Sequence, residues 1–169
     1  MTGAARPAVR VGIGYDSHAF VPGGPLVLGG VRIPADVRLR GHSDGDAVAH
    51  AVADAILGAV GRGDIGTLFP DTDPANAGRD SLEMLRAAAK SVGAAGWRVQ
   101  QVDVTVVAER LRIGPYRTAM SGALAEALGI EPADVSVKGK TNEGMGWIGR
   151  GEGLAALAVA TLAANDGRP

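Results

Sequence analysis

The chain has 169 residues, and its 17 basic and 18 acidic side chains give a formal net charge of −1, spread along the sequence rather than in blocks; this excludes a basic nucleic-acid-binding surface. It contains no cysteine, so disulfides, thiolate nucleophiles and sulfur-ligated zinc are excluded, and any metal must take nitrogen and oxygen ligands. One domain is expected over residues 8–163, with flexible ends at 1–7 and 164–169; no opening apolar run suggests a signal peptide, and the stretch from Gly153 to Ala164 is too short to span a bilayer, so a cytoplasmic protein without a membrane partner is expected.

Val9, Val11 and Ile13 recur at period two and predict a strand; Asp16 and His18 follow at the same spacing, so an extended backbone projects both to one face. Gly12-x-Gly14 after a strand invites a dinucleotide reading, but Ser17 stands where the third glycine belongs and no helical pattern follows. Pro25 to Ile33 reads as a hairpin turning at Gly29-Gly30. From Asp46 to Ala59, Val48, Ala51, Val52, Ala55, Ile56 and Ala59 follow a helical period, with His50 and Asp54 at i, i+4 beside that stripe. Gly61 to Asp73 is a polar, turn-rich loop long enough to serve a site. Asp80 and Glu83 have capping-box spacing and open a second helix, with Leu82, Leu85, Ala88 and Val92 inward and Gly93 as its expected cap. Val102, Val104 and Val106 alternate with Asp103 and Thr105, so Arg98 to Val107 reads as a strand with a polar outer face. Pro115 opens a third helix through Leu128, closed by Gly129, and Val135 to Lys138 reads as another strand. Gly153 to Leu162 is mostly alanine and is ambiguous between helix and strand. Such alternation predicts an α/β (α+β) sandwich, a mixed β-sheet with helices on one face.

All three histidines fall in Gly12 to His18 and Gly41 to His50, segments that also carry clustered aspartates. Asp16 and His18 from a strand, joined by His50 from a helix, would give three protein ligands and an open fourth position, the arrangement of a reactive metal site. A carboxylate and two imidazoles suit Zn²⁺ best, with Mn²⁺ or Fe²⁺ open to the same ligands. The bland alternative is a polar strand end plus a helix histidine satisfied by Asp54 or Asp46. His42 in its Gly-His-Ser-Asp-Gly-Asp turn either reaches an anion or is a solvated turn residue. Asp64, Asp71 and Asp73 share one loop, where they serve turn chemistry or else hold polyol hydroxyls or a cation. Val137 to Gly153 combines Lys138, Lys140, Thr141, Asn142, Glu143 and Arg150 with six glycines. That composition suits a loop wrapping phosphates, although the P-loop spacing is absent and a plain surface loop is the competing reading.

Taken in order, Gly-x-Gly-x-Asp-x-His-x-Phe (12–20), His-Ser-Asp-Gly-Asp (42–46) with the later His50, Gly-Asp-Ile-Gly-x-Leu-Phe-Pro-Asp-Thr-Asp (63–73), and Thr-Asn-Glu-Gly-x-Gly (141–146) with Gly-Arg-Gly-Glu-Gly (149–153) resemble the 2-C-methyl-D-erythritol 2,4-cyclodiphosphate synthases of non-mevalonate isoprenoid biosynthesis. The resemblance runs from Val9 to Leu162. It implies a lyase that closes a cyclic diphosphate from 4-diphosphocytidyl-2-C-methyl-D-erythritol 2-phosphate and expels CMP. It also implies zinc on Asp16, His18 and His50, and Mg²⁺ or Mn²⁺ on Glu143. His42 and Thr141 are then catalytic, stabilising the transferring group, with Ser43 on phosphate and Lys140, Asn142 and Glu143 in the diphosphate loop. Asp64, Ile65, Gly66, Phe69, Asp71 and Asp73 would hold the methylerythritol, and Ala108 to Gly114, including Arg112, would wall the cytidine pocket. A homotrimer with active sites between subunits is implied. Tyr15, Trp147, Arg150 and Glu152 then line a central cavity, for which an isoprenoid diphosphate is the expected ligand. Three positions depart from the pattern: Leu111 precedes Arg112 where Pro-Lys is frequent, Lys140 replaces a threonine, and Trp147 replaces a phenylalanine. Two other readings of the same residues are a metal phosphoesterase that activates water and a non-catalytic trimeric carrier of isoprenoid diphosphates.

Overall fold

Glycine at positions 12 and 14 decides how the layers meet. A Cβ on Gly12 would lie 1.9 Å from the carbonyl oxygen of Ala55, and one on Gly14 would lie 1.8 Å from that of Ala51. Only bare backbone lets the first helix rest directly on the first strand. That packing, and not a nucleotide, accounts for the Gly-x-Gly pair.

The computed structural model describes residues 9–165. Strand β1 (Val9–Pro22) is followed by the short strands β2 (Leu26–Leu28), β3 (Val31–Ile33) and β4 (Val37–Leu39). Helix α1 (Ala47–Ala59), the one-turn helix α2 (Ile65–Leu68) and helix α3 (Ser81–Ala94) come next. Then follow β5 (Trp97–Val107), α4 (Arg117–Leu128), β6 (Val135–Lys140), the one-turn α5 (Gly146–Gly149) and β7 (Gly153–Ala164). Five strands form a sheet in the order β4-β1-β7-β5-β6, and β2 pairs with β3 separately. Within the larger sheet only β5 and β6 run parallel, so it is mixed. The core lies between this sheet and the layer of α1, α3 and α4; it is built from Val48, Val52, Ile56, Leu85, Val102, Val104, Met120, Leu124, Leu154 and Leu162.

Each element follows from local chemistry. Gly29 and Gly30, at φ 56° and 74°, make the two-residue turn between β2 and β3, a backbone that twists with the flanking strands and excludes most side chains. Asp46 caps α1 by accepting from the N–H groups of Val48 and Ala49, both at 3.1 Å. The same buried carboxylate accepts from Gly29 N–H at 2.8 Å and Gly30 N–H at 2.7 Å, tying the hairpin to the helix. Asp80 caps α3 through Leu82 and Glu83.

Several expectations are revised. The first strand runs to Pro22 rather than stopping at Ile13. Helix α3 continues through Gly93 and is capped at Ala95, because its buried stripe reaches Val92 and the left-handed turn comes at Gly96. Pro115 lies in a 3-10 turn, Gly114–Tyr116, that leads into α4 at Arg117. The alanine-rich last segment is a strand that pairs on both sides. Loose ends were expected at 1–7 and 164–169; Ala164 closes β7, the Asn165 N–H donates to the Gly96 carbonyl at 2.9 Å, and the rest lie outside the described residues.

Candidate functional site

Strand β1 turns even-numbered side chains toward α1, so Asp16 and His18 point inward at the strand's open end. Helix α1 brings His50 over them from its buried first turns. The Oδ2 of Asp16 lies 3.0 Å from His18 Nδ1 and 3.0 Å from His50 Nδ1. One ligand atom from each of the three falls within 4.8 Å of the others. His18 Nδ1 is buried and lacks a hydrogen bond, because its approach to Asp16 is poorly angled. A buried lone pair aimed at a carboxylate and a second imidazole is what a nitrogen- and oxygen-preferring cation requires, so the residues present fit zinc.

Electrostatics sharpen this. Burial alone would raise Asp16's carboxyl, but the close approach and charge of the His18 and His50 rings outweigh it and hold the group below the usual carboxylate range. Burial would lower His50, but Asp16, reinforced by Asp46 and Asp44, raises it. Burial, with the charges of Asp64 and Asp16, pushes Asp54 up; its Oδ1 accepts from the Ile65 N–H at 2.8 Å and fastens α2 to α1. His50 is therefore not satisfied by Asp54 or Asp46, and meets Asp16, Ser43 and Ser81 instead.

A cleft of about 170 Å³ opens beside these three residues, lined by His18, His42, Ser43, His50, Ile65, Gly66, Phe69 and Asp71. Asn76 and Met84 complete it, and neither is legible as a site residue in the sequence. Asn76 is buried because its side-chain amide donates to the Pro70 carbonyl at 2.9 Å and so holds the loop closed. Arg79 stacks over the Phe69 ring at 4.7 Å. Asp64 and Asp73 do not line the cleft. Asp64 accepts from the backbone N–H and hydroxyl of Thr67, and Asp73 from the Ala75 N–H.

A second cleft of about 460 Å³ contains Ala108, Arg112, Lys140 and Thr141, together with Glu109, Ile113 and Arg117. Glu109 accepts from the Asn142 N–H at 3.1 Å, and the Thr141 hydroxyl donates to Glu143 Oε1 at 2.8 Å. Glu143 holds a left-handed φ of 52°. Trp147 and Arg150 stand outside both clefts, with Arg150 paired to Glu152 at 2.6 Å. The larger cleft of about 530 Å³ near Trp97, Arg98 and Glu131 holds no histidine and none of the predicted residues.

The two chemical clefts share no residue, yet open at the same end of the sheet. His18 on β1 is opposite Leu154 on β7; the next residue, Ala155, is opposite Val107 on β5, which is opposite Lys140 on β6. Three strand spacings, roughly 14 Å, separate the His18 strand from the Lys140 strand.

Fold and site together define an α+β protein in which an inward Asp-x-His pair and a helix histidine, a set able to hold a cation, lie beside a cleft lined by His42, Ser43 and Asp71. The chain belongs to the YgbB family, whose model matches residues 9–163. It is 60% identical over 156 residues to the 2-C-methyl-D-erythritol 2,4-cyclodiphosphate synthase of Gemmatimonas aurantiaca, covering 92% of this chain and 94% of that one. Among solved structures, the bifunctional IspDF of Campylobacter jejuni aligns with a TM-score of 0.89 at 39% identity, over 92% of this chain and 42% of that one. The CDP complex of Plasmodium falciparum IspF aligns with a TM-score of 0.83 at 34% identity, over 96% and 100%. Among the described residues, no helix is long and apolar enough to cross a membrane.

Proposed function

We propose that this chain converts 4-diphosphocytidyl-2-C-methyl-D-erythritol 2-phosphate to 2-C-methyl-D-erythritol 2,4-cyclodiphosphate and CMP. The observation that carries the reading is the convergence of Asp16, His18 and His50 on one point at the mouth of the cleft holding His42, Ser43 and Asp71. An oxygen of the 2-phosphate forms a bond to the β-phosphorus while the bond from that phosphorus to the bridging oxygen breaks, and CMP leaves with that oxygen. Phosphate repels phosphate, so the protein's task is to neutralise charge and hold the in-line geometry.

Asp16, His18 and His50 would hold zinc, which as a Lewis acid supplies positive charge to a phosphate oxygen. Glu143 would hold Mg²⁺ or Mn²⁺ for the diphosphate. His42 and the Thr141 hydroxyl donate to the transferring group, and Ser43 fixes the attacking phosphate. Ile65, Gly66, Phe69 and Asp71 hold the methylerythritol, with Asp64 and Asp73 shaping the loop. Lys140, Asn142 and Arg112 take the diphosphate and cytidine end against the Ala108 wall. A homotrimer would bring the two clefts of neighbouring chains together, since within one chain they share no residue and their strands lie roughly 14 Å apart. Trp147 and Arg150 would then face a central cavity suited to an isoprenoid diphosphate.

Phosphorus NMR of the protein with this substrate and Mg²⁺ tests the proposal. Two coupled cyclic-diphosphate resonances should appear together with CMP and vanish when zinc is chelated. Linear hydrolysis products, or an unchanged spectrum, would refute it.

A further inference from the structure

Beyond the three ligands, His50 is held at its far nitrogen by residues to which the function above gives no part. His50 Nε2 lies 2.9 Å from the Oγ of Ser81, the fully buried first residue of α3. The Ser81 hydroxyl is in a short hydrogen bond to Asp44 Oδ1. Asp44 is anchored in turn by the Ser81 N–H on Oδ2 and the Asp46 N–H on Oδ1, both at 3.1 Å. With its proton committed to a carboxylate, which can only accept, the serine oxygen has lone pairs left for His50. It therefore calls for a proton on Nε2.

That matters because Asp16 exerts the opposite pull. Its carboxylate, 3.0 Å from Nδ1, favours a proton on Nδ1, which would block the nitrogen that must face a cation. A histidine binds metal through one nitrogen when the hydrogen bond at the other fixes the tautomer. We infer that Asp44 and Ser81 form a positioning relay, spanning the 42–46 turn and α3, that keeps the His50 proton on Nε2 and its Nδ1 lone pair free for the cation. This rests on the metal reading above. Ser43 Oγ, at 3.1 Å from Nε2, is the competing partner, but no carboxylate commits its proton among the hydrogen bonds of the described residues.

The test is competition of zinc ions with a chromogenic chelator, on metal-free wild type and on Ser81→Ala, Ser81→Thr, Asp44→Asn and Ser43→Ala. Ser81→Ala should weaken zinc about 10- to 100-fold. Asp44→Asn should weaken it at least as much, since an amide donating to Ser81 turns the serine proton toward Nε2 and reverses the relay. Ser81→Thr keeps the hydroxyl and should stay within threefold of wild type. Histidine nitrogen NMR of the metal-free proteins, at a pH where the ring is neutral, should show the Nε2–H population falling in Ser81→Ala and Asp44→Asn. A merely structural serine would lower the melting temperature and leave tautomer and affinity unchanged. Should Ser81→Ala fail to fold, Asp44→Asn and the threonine rescue decide the matter. Wild-type zinc affinity in Ser81→Ala and Asp44→Asn, or the whole loss appearing in Ser43→Ala alone, would overturn the relay. Wild type that binds no zinc would overturn the metal reading itself.

Discussion

Metal-free His50 carries a raised pKa because Asp16, Asp46 and Asp44 outweigh the cost of burial, and the proton so held must leave before Nδ1 binds a cation. The sign follows from linkage: a raised histidine contributes stability fully present below its unfolded value and lost as pH rises through the folded one. Asp16, held low, contributes stability that is lost only as pH falls through its depressed value. Metal-free protein should therefore melt lower at pH 8 than at pH 6.5, while the stabilisation added by saturating zinc should grow over the same window. Calorimetry with and without zinc checks both, and a zinc increment independent of pH would contradict the assignment. His50→Ala should lose zinc and activity together. Thr141→Ala, whose hydroxyl touches Glu143 and none of the three ligands, should keep zinc while turnover falls about 100-fold, the usual loss for one transition-state donor. At this scale the convergence of Asp16, His18 and His50 was legible because period two puts Asp16 and His18 on one face and every histidine clusters. Ser81 and Asn76 were not, since their roles come from contacts with Asp44 and Pro70 that no local pattern encodes.

Helix α1 keeps His50 in place only while it can lie against β1, so the glycines beneath it bear on function as well as fold. Gly14→Ala puts a methyl 1.8 Å from a backbone carbonyl, which no rotamer change relieves. It should cost about 3 kcal/mol or more and weaken zinc binding by lifting His50 from Asp16. Gly58→Ala, in the same helix but facing open space, should instead gain roughly 0.5–1 kcal/mol with zinc affinity unchanged. Urea titrations paired with zinc competition would separate the two, and equal responses would refute the close-approach argument. Helix α1 was legible from its stripe and β5 from its valine alternation. For β1 the period was clear but the inward face was not: Val9, Val11 and Ile13 look like core residues yet face outward, and the buried face is glycine. For β7, alanine and leucine on both faces hid the alternation, and its place between β1 and β5 is a long-range fact.

The outward apolar face of β1 continues across β7, where Ile13 lies opposite Val159 and Tyr15 opposite Leu157. Ile13 is 70% exposed, Val11 64% and Tyr15 55%, in contrast to the polar Asp103–Lys138 pair farther along the same sheet. A contiguous apolar stripe with a charged margin is the pattern of an interface whose centre is dry and whose rim is wet. In the proposed homotrimer this stripe is the surface that further copies cover, and assembly is what would bring one chain's Thr141 and Glu143 toward another's His18 and His50. Ile13→Asp therefore separates assembly from folding. The side chain is exposed in the single chain, so the substitution should change its own stability by about 0.5 kcal/mol or less. Light scattering should then read 17.0 kDa for the variant against three times that mass for wild type, with zinc retained and CMP release abolished. A variant that stays monomeric yet turns over at the wild-type rate would show that one chain holds a complete site.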